Sequence, residues 1–161
     1  MRWIHDQIDR ASQRLTFAYR VIPRLSLGVE YNPKAGEFGP LLNLVALQET
    51  KFRPAVLFGI SSDRIGTPHG TAYFATVSKN LEQQLRWPVS PYIGVAYGTY
   101  EDELDAIGGV HVGLWAGFSS TLLYDGTELH PTLAYRFLDR HVVTLLWVAK
   151  QDLGLSYSVA F

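Results

Sequence analysis

The chain has 161 residues, 47% apolar and 13% aromatic, while charged residues reach only 18%. This is too apolar for a disordered chain and fits a single folded domain. A net charge of −1, no Lys/Arg cluster and no cysteine exclude charge-driven nucleic-acid binding, disulfides, zinc–thiolate centres and cysteine nucleophiles.

In chain order, residues 1–13, "MRWIHDQIDRASQ", lack the apolar core of a secretory signal, which fits either a cytosolic protein or, as the favoured reading, a mature or engineered chain with Met1 added. Trp3, Ile4, Ile8 and Ala11 recur at helical spacing, which predicts a short amphipathic helix over 1–13, associated with the domain formed by 14–161. From residue 14 the dominant period is two, the signature of β-strands. Leu15, Phe17, Tyr19 and Val21 alternate with Thr16, Ala18 and Arg20, and Leu25, Leu27, Val29 and Tyr31 with Ser26, Gly28 and Glu30. Candidate strands lie near 14–22, 25–32, 40–48, 54–62, 71–79, 90–100, 107–115, 118–124, 129–137, 141–150 and 153–161. Tight connections (Pro23-Arg24, Ala116-Gly117, Leu138 to Arg140) interleave with longer ones such as "NPKAGEFG", "DRIGTPHG", "EDELDA" and "DGTELH". The stretch "NLEQQLRWPV" is long where a tight turn is due, and Leu81 and Leu85 are spaced for one helical turn. No helix of crossover length interrupts the series, so the strands form an antiparallel up-and-down meander.

Which face is buried decides the class. A soluble barrel around an apolar ligand turns its large residues inward and charges its outer face. Here the face opposite the large residues is mostly Gly, Ala, Ser and Thr, too poor in charge to be a solvated exterior. The reverse orientation fits: large residues toward lipid, small and occasional polar residues toward a narrow interior. The expected fold is all-β, a closed antiparallel up-and-down transmembrane β-barrel of about 10–12 strands. Closure leaves no backbone group unpaired in lipid. Arg20, Glu30, Asn43, His111 and Arg136 fall on the lumen side, and Tyr and Trp residues supply interfacial girdles. Eleven candidate strands conflict with the even count of single-chain bacterial barrels, so a segment is miscounted or residues 1–13 also cross the barrel.

The closing "LGLSYSVAF" resembles the terminal strand of bacterial outer-membrane proteins, with apolar or aromatic residues at alternate positions and a final Phe. The resemblance implies residence in the bacterial outer membrane. It also implies that Tyr157, Val159 and Phe161 are read by the outer-membrane assembly machinery. Lipid bilayer, lipopolysaccharide and envelope proteins then become the partners. "GISSDRIGTPHGTAYFATVSK", Gly59 to Lys79, resembles a hairpin of the YjbH-type outer-membrane barrel family through Asp63, Gly66-Thr67, Tyr73 and Ser78-Lys79. That likeness implies a link to exopolysaccharide production.

Catalytic constellations are weak. His111 has Ser119 or Thr121 on the neighbouring strand but no adjacent acid, and no G-x-S-x-G occurs. Asp63, His69, Asp125, Glu128 and His130 fall in loops on one rim, the place for a metal or lipid-modifying site, against the simpler reading as turn residues. The carboxylates of "YEDELDA" suit divalent cations bridging lipopolysaccharide phosphates, against the simpler reading as a solvated loop. No cofactor motif is present. The expected role is structural, anchoring or envelope-assembling. A narrow solute channel and a lipid-modifying outer-membrane enzyme are the alternatives.

Overall fold

The computed structural model describes residues 1–5, 9–148 and 152–161. Twelve antiparallel strands close into one up-and-down barrel. They are β1 (Arg2–Ile4), β2 (Gln13–Ile22), β3 (Leu25–Asn32), β4 (Glu37–Leu47), β5 (Ala55–Ser62), β6 (Thr71–Ser78), β7 (Val89–Gly98), β8 (Glu103–Gly113), β9 (Phe118–Tyr124), β10 (Leu129–Phe137), β11 (His141–Val148) and β12 (Asp152–Val159). Two single-turn helices, α1 (Asp9–Ser12) and α2 (Glu82–Leu85), are the helical segments among the described residues.

The odd strand count resolves at the N-terminus. Arg2–Ile4 is a strand, not a helical turn, and Ile4 pairs with Gly154 while Trp3 pairs with both Leu155 and Gln13. Trp3 and Ile4 therefore close the ladder between the chain ends. Ile8 lies outside the described residues, and among the described residues of this segment helix covers Asp9–Ser12. Closing the sheet satisfies backbone groups on two strands, which a free helical turn of this length cannot match. The expected turn between Leu81 and Leu85 is present as α2.

Along each strand the side chains alternate across the wall, and here the usual burial order is reversed. Leu153, Leu155, Tyr157 and Val159 of β12 are all exposed, whereas Gly154 between them is buried. Phe17, Tyr19, Phe58, Tyr73, Ile93, Leu104, Leu133, Leu145 and Trp147 are likewise exposed. Among the described residues, the buried apolar set is only Ile4, Ala72 and Val148. The buried polar set is larger: Arg10, Ser12, Glu30, Asn32, Asp63, Thr67 and His130. A soluble barrel of this size shows the opposite partition.

The two rims differ. One carries the connections 33–36, 63–70, 99–102 and 125–128, and the other carries 23–24, 48–54, 79–88, 114–117 and 138–140. The loop read from "EDELDA" is shorter than expected, because Gly98 already pairs with Glu103 and Ala96 with Asp105. Asp105 is thereby a strand residue whose partner Ala96 sits opposite Phe74, on the lumen side.

Candidate functional site

The loop-bearing rim is organised around one guanidinium that sequence reading missed. Arg10 of α1 lies between β1 and β2, yet its side chain reaches the β5–β6 loop. Its Nε donates to the Thr67 carbonyl at 2.7 Å, and Nη2 donates to the carbonyls of Arg64 at 2.7 Å and Asp63 at 3.2 Å. Nη2 also donates to the Thr67 hydroxyl. Five fixed donors let Arg, unlike Lys, serve several carbonyls at once. Burial lowers the Arg10 pKa from its ordinary value, with Glu30 and Asp63 opposing that effect.

The loop is shaped to receive it. The Asp63 carboxylate accepts from the backbone N–H of Arg64 at 2.8 Å and of Tyr100 at 3.1 Å, tying residues 63–70 to the next loop. Gly70 (φ +113°) and Gly98 flank that carboxylate, and a Cβ on Gly70 would stand 2.8 Å from Asp63 Oδ2. Asp63, Gly66 and Thr67, picked out by the hairpin resemblance, thus build the cradle. Arg64 forms an ion pair with Glu101 across the two loops, which raises the Arg64 pKa and lowers that of Glu101.

Deeper in the lumen, Arg14 forms an ion pair with the fully buried Glu30, and the Asn32 amide lies beside the same carboxylate. Arg2 stands directly opposite Arg14 on the neighbouring strand. The Nε atoms of both are buried and lack a hydrogen-bond partner among the described residues. This wall of the lumen is strongly basic.

On the other side, β5 to β9 enclose a cavity of about 170 Å³. Phe74, Ile107 and Leu123 form its apolar wall, and Asp63, Asp105 and Asp125 stand toward the rim. Asp125 bonds His130 at 2.8 Å and accepts from the N–H groups of Glu128 at 2.9 Å and Thr127 at 3.1 Å. Burial pushes the Asp125 carboxyl up, but His130 and the two N–H groups outweigh it and leave the pKa at about 2.

The other predicted residues are dispersed. Arg20, His111 and Arg136 are exposed, and each pairs across the ladder with a lumen-side register position nearer the opposite rim. His111 Nδ1 lies 2.9 Å from Thr121 Oγ1. No carboxylate joins that pair among the described residues. His69 packs edge-on against Tyr100, and Glu128 is exposed. Among the described residues, no three His, Asp or Glu side chains converge as a metal site. The "YEDELDA" carboxylates are divided: Glu101 goes to Arg64, Asp102 to the Tyr97 hydroxyl, and Asp105 to the cavity. At the closing strand, Tyr157 bonds His141 Nδ1 at 2.7 Å and Phe161 stacks on Phe17.

Arg10 and Arg14 were not legible as a site, and Asp105 was read only among the "YEDELDA" loop carboxylates, because each meets its surroundings only after the strands close. The fold and rim together define a closed up-and-down antiparallel β-barrel with charged groups inside and large apolar groups outside. No family model, curated protein or solved structure matches the chain.

Proposed function

We propose that this protein is a bacterial outer-membrane β-barrel with a structural or anchoring role in the cell envelope, not an open pore. The observation that carries this reading is the reversed partition: large apolar side chains cover the outside while Arg10, Glu30, Asn32, Asp63 and His130 are buried. Water does not stabilise such a surface, whereas hydrocarbon does, and a closed barrel leaves no strand edge unpaired there. Arg10, latched to the loop at residues 63–67, draws the β1–β2 connection toward the lumen and argues for a filled interior over a wide conduit. Tyr157, Val159 and Phe161 point outward at the closing strand, in keeping with a role in recognition by the assembly machinery. The resemblance of Gly59–Lys79 to the YjbH-type hairpin favours an exopolysaccharide-linked assembly as the setting, with envelope proteins and lipopolysaccharide as neighbours.

The test is fractionation of cells expressing the chain behind a secretory signal, followed by gel migration with and without boiling. The protein should enter the outer-membrane fraction and migrate faster unboiled, and it should give no steady conductance in planar bilayers. Recovery as a detergent-free soluble monomer would overturn the membrane reading, and a stable open-channel current would overturn the structural one.

A further inference from the structure

We propose that the lumen cavity between β5 and β9 binds a small organic cation, an ammonium group carried on a compact apolar body. The volume of about 170 Å³ is room for about five waters at liquid density, or one single-ring molecule. Phe74, Ile107 and Leu123 offer an apolar wall, with Tyr92 toward the deeper end.

The three carboxylates at the rim end are not equivalent. Asp63 accepts one backbone N–H on each oxygen, from Arg64 and from Tyr100. Asp125 is held by Thr127, Glu128 and His130. Asp105 makes no hydrogen bond or ion pair among the described residues, although pairing with Ala96 sets it inside the barrel wall. Among the described residues, Arg64 is the one Lys or Arg lining the cavity, and Glu101 already engages it. Among the described residues, one carboxylate without a hydrogen-bond or ion-pair partner therefore lines an apolar, partly enclosed space, where an opposite charge is favoured. Neutral ligands leave Asp105 unmatched. Anions meet three carboxylates and are repelled. The ligand chemistry that answers both features is cationic at the rim end and apolar below. This site is interior and does not depend on what surrounds the barrel.

The test uses the full chain folded in detergent micelles, with folding checked by circular dichroism and unboiled gel migration. The Ile107 δ1-methyl resonance is followed during titration with benzylamine, benzyl alcohol or benzoate. Benzylamine should give a saturable shift, benzyl alcohol binding should be weaker by about tenfold, and benzoate should give none. Asp105→Asn should bring benzylamine down to the level of the alcohol, Asp105→Glu should keep the preference, and Ala96→Leu should fill the space and remove both. Equal affinity for amine and alcohol, amine binding unchanged in Asp105→Asn, or no saturable shift with any probe would overturn the proposal. If Asp105→Asn does not fold, the ranking of the three probes on the native chain and on Ala96→Leu decides.

Discussion

Asp125 shows how a single residue in this barrel answers to its neighbours more than to its own burial. Desolvation alone would raise its pKa, yet the His130 contact and two loop N–H groups bring it from an ordinary 3.8 to about 2. A depressed carboxylate contributes stability above its unfolded pKa and loses it as pH falls through the folded one. The contribution is therefore complete above about pH 5 and mostly lost by about pH 2. Asp125→Asn should destabilise the folded barrel by about 1 kcal/mol at pH 7, a figure reduced for solvent screening. Because a protonated Asp resembles Asn, the difference between the two proteins should close near pH 2. Urea midpoints of both proteins at the two pH values check this. A gap of equal size at pH 2 would remove the linkage.

At the scale of elements, the decisive contact joins α1 to the β5–β6 loop, segments more than fifty positions apart. Arg10 satisfies three backbone carbonyls at once, those of residues 63, 64 and 67. Truncating it removes the donor to the buried Asp63 and Thr67 carbonyls, while the Arg64 carbonyl keeps the Thr67 hydroxyl. Arg10→Ala should cost about 2–4 kcal/mol, and Arg10→Lys should recover only part of that, since one ammonium cannot span the fork. Unfolding midpoints and the rate of proteolytic nicking within 63–70 measure the effect. Wild-type values for Arg10→Ala would show that the latch is incidental. The same distance in sequence explains why the latch was illegible: nothing near Arg10 marks it as more than a helix residue. The turn residues Asp63, Gly66 and Thr67, by contrast, were legible locally, because they shape their own loop.

For the whole molecule, the barrel wall is a boundary between two environments, and the exposed aliphatic belt should register which one lies outside. Leu145 is exposed near the middle of β11, flanked across the ladder by Leu133 and Leu155. Leu145→Lys should cost about 2–4 kcal/mol for the barrel folded in lipid vesicles, the usual penalty for a cation near the bilayer midplane. On a water-facing wall the same change would stay within about 0.5 kcal/mol. Reversible unfolding from vesicles distinguishes the two, and a neutral effect would argue against hydrocarbon outside.

What this sequence determined by itself is whatever depends on neighbours two positions apart. Alternation of side chains along a strand is imposed by backbone geometry, so the meander, the large-residue face and the inward position of Glu30 follow from local pattern alone. Closure was expected, but which segment closes the barrel was decided only in three dimensions. Arg2–Ile4 is too short to announce itself as a strand, and it becomes one because Arg2 finds Ser156 and Arg14 on either side. The lumen chemistry belongs to the same category. The Arg14–Glu30 pair, the Arg10 cradle and the unmatched Asp105 arise when a curved sheet brings distant strands face to face across a few ångströms, a juxtaposition that no local periodicity encodes.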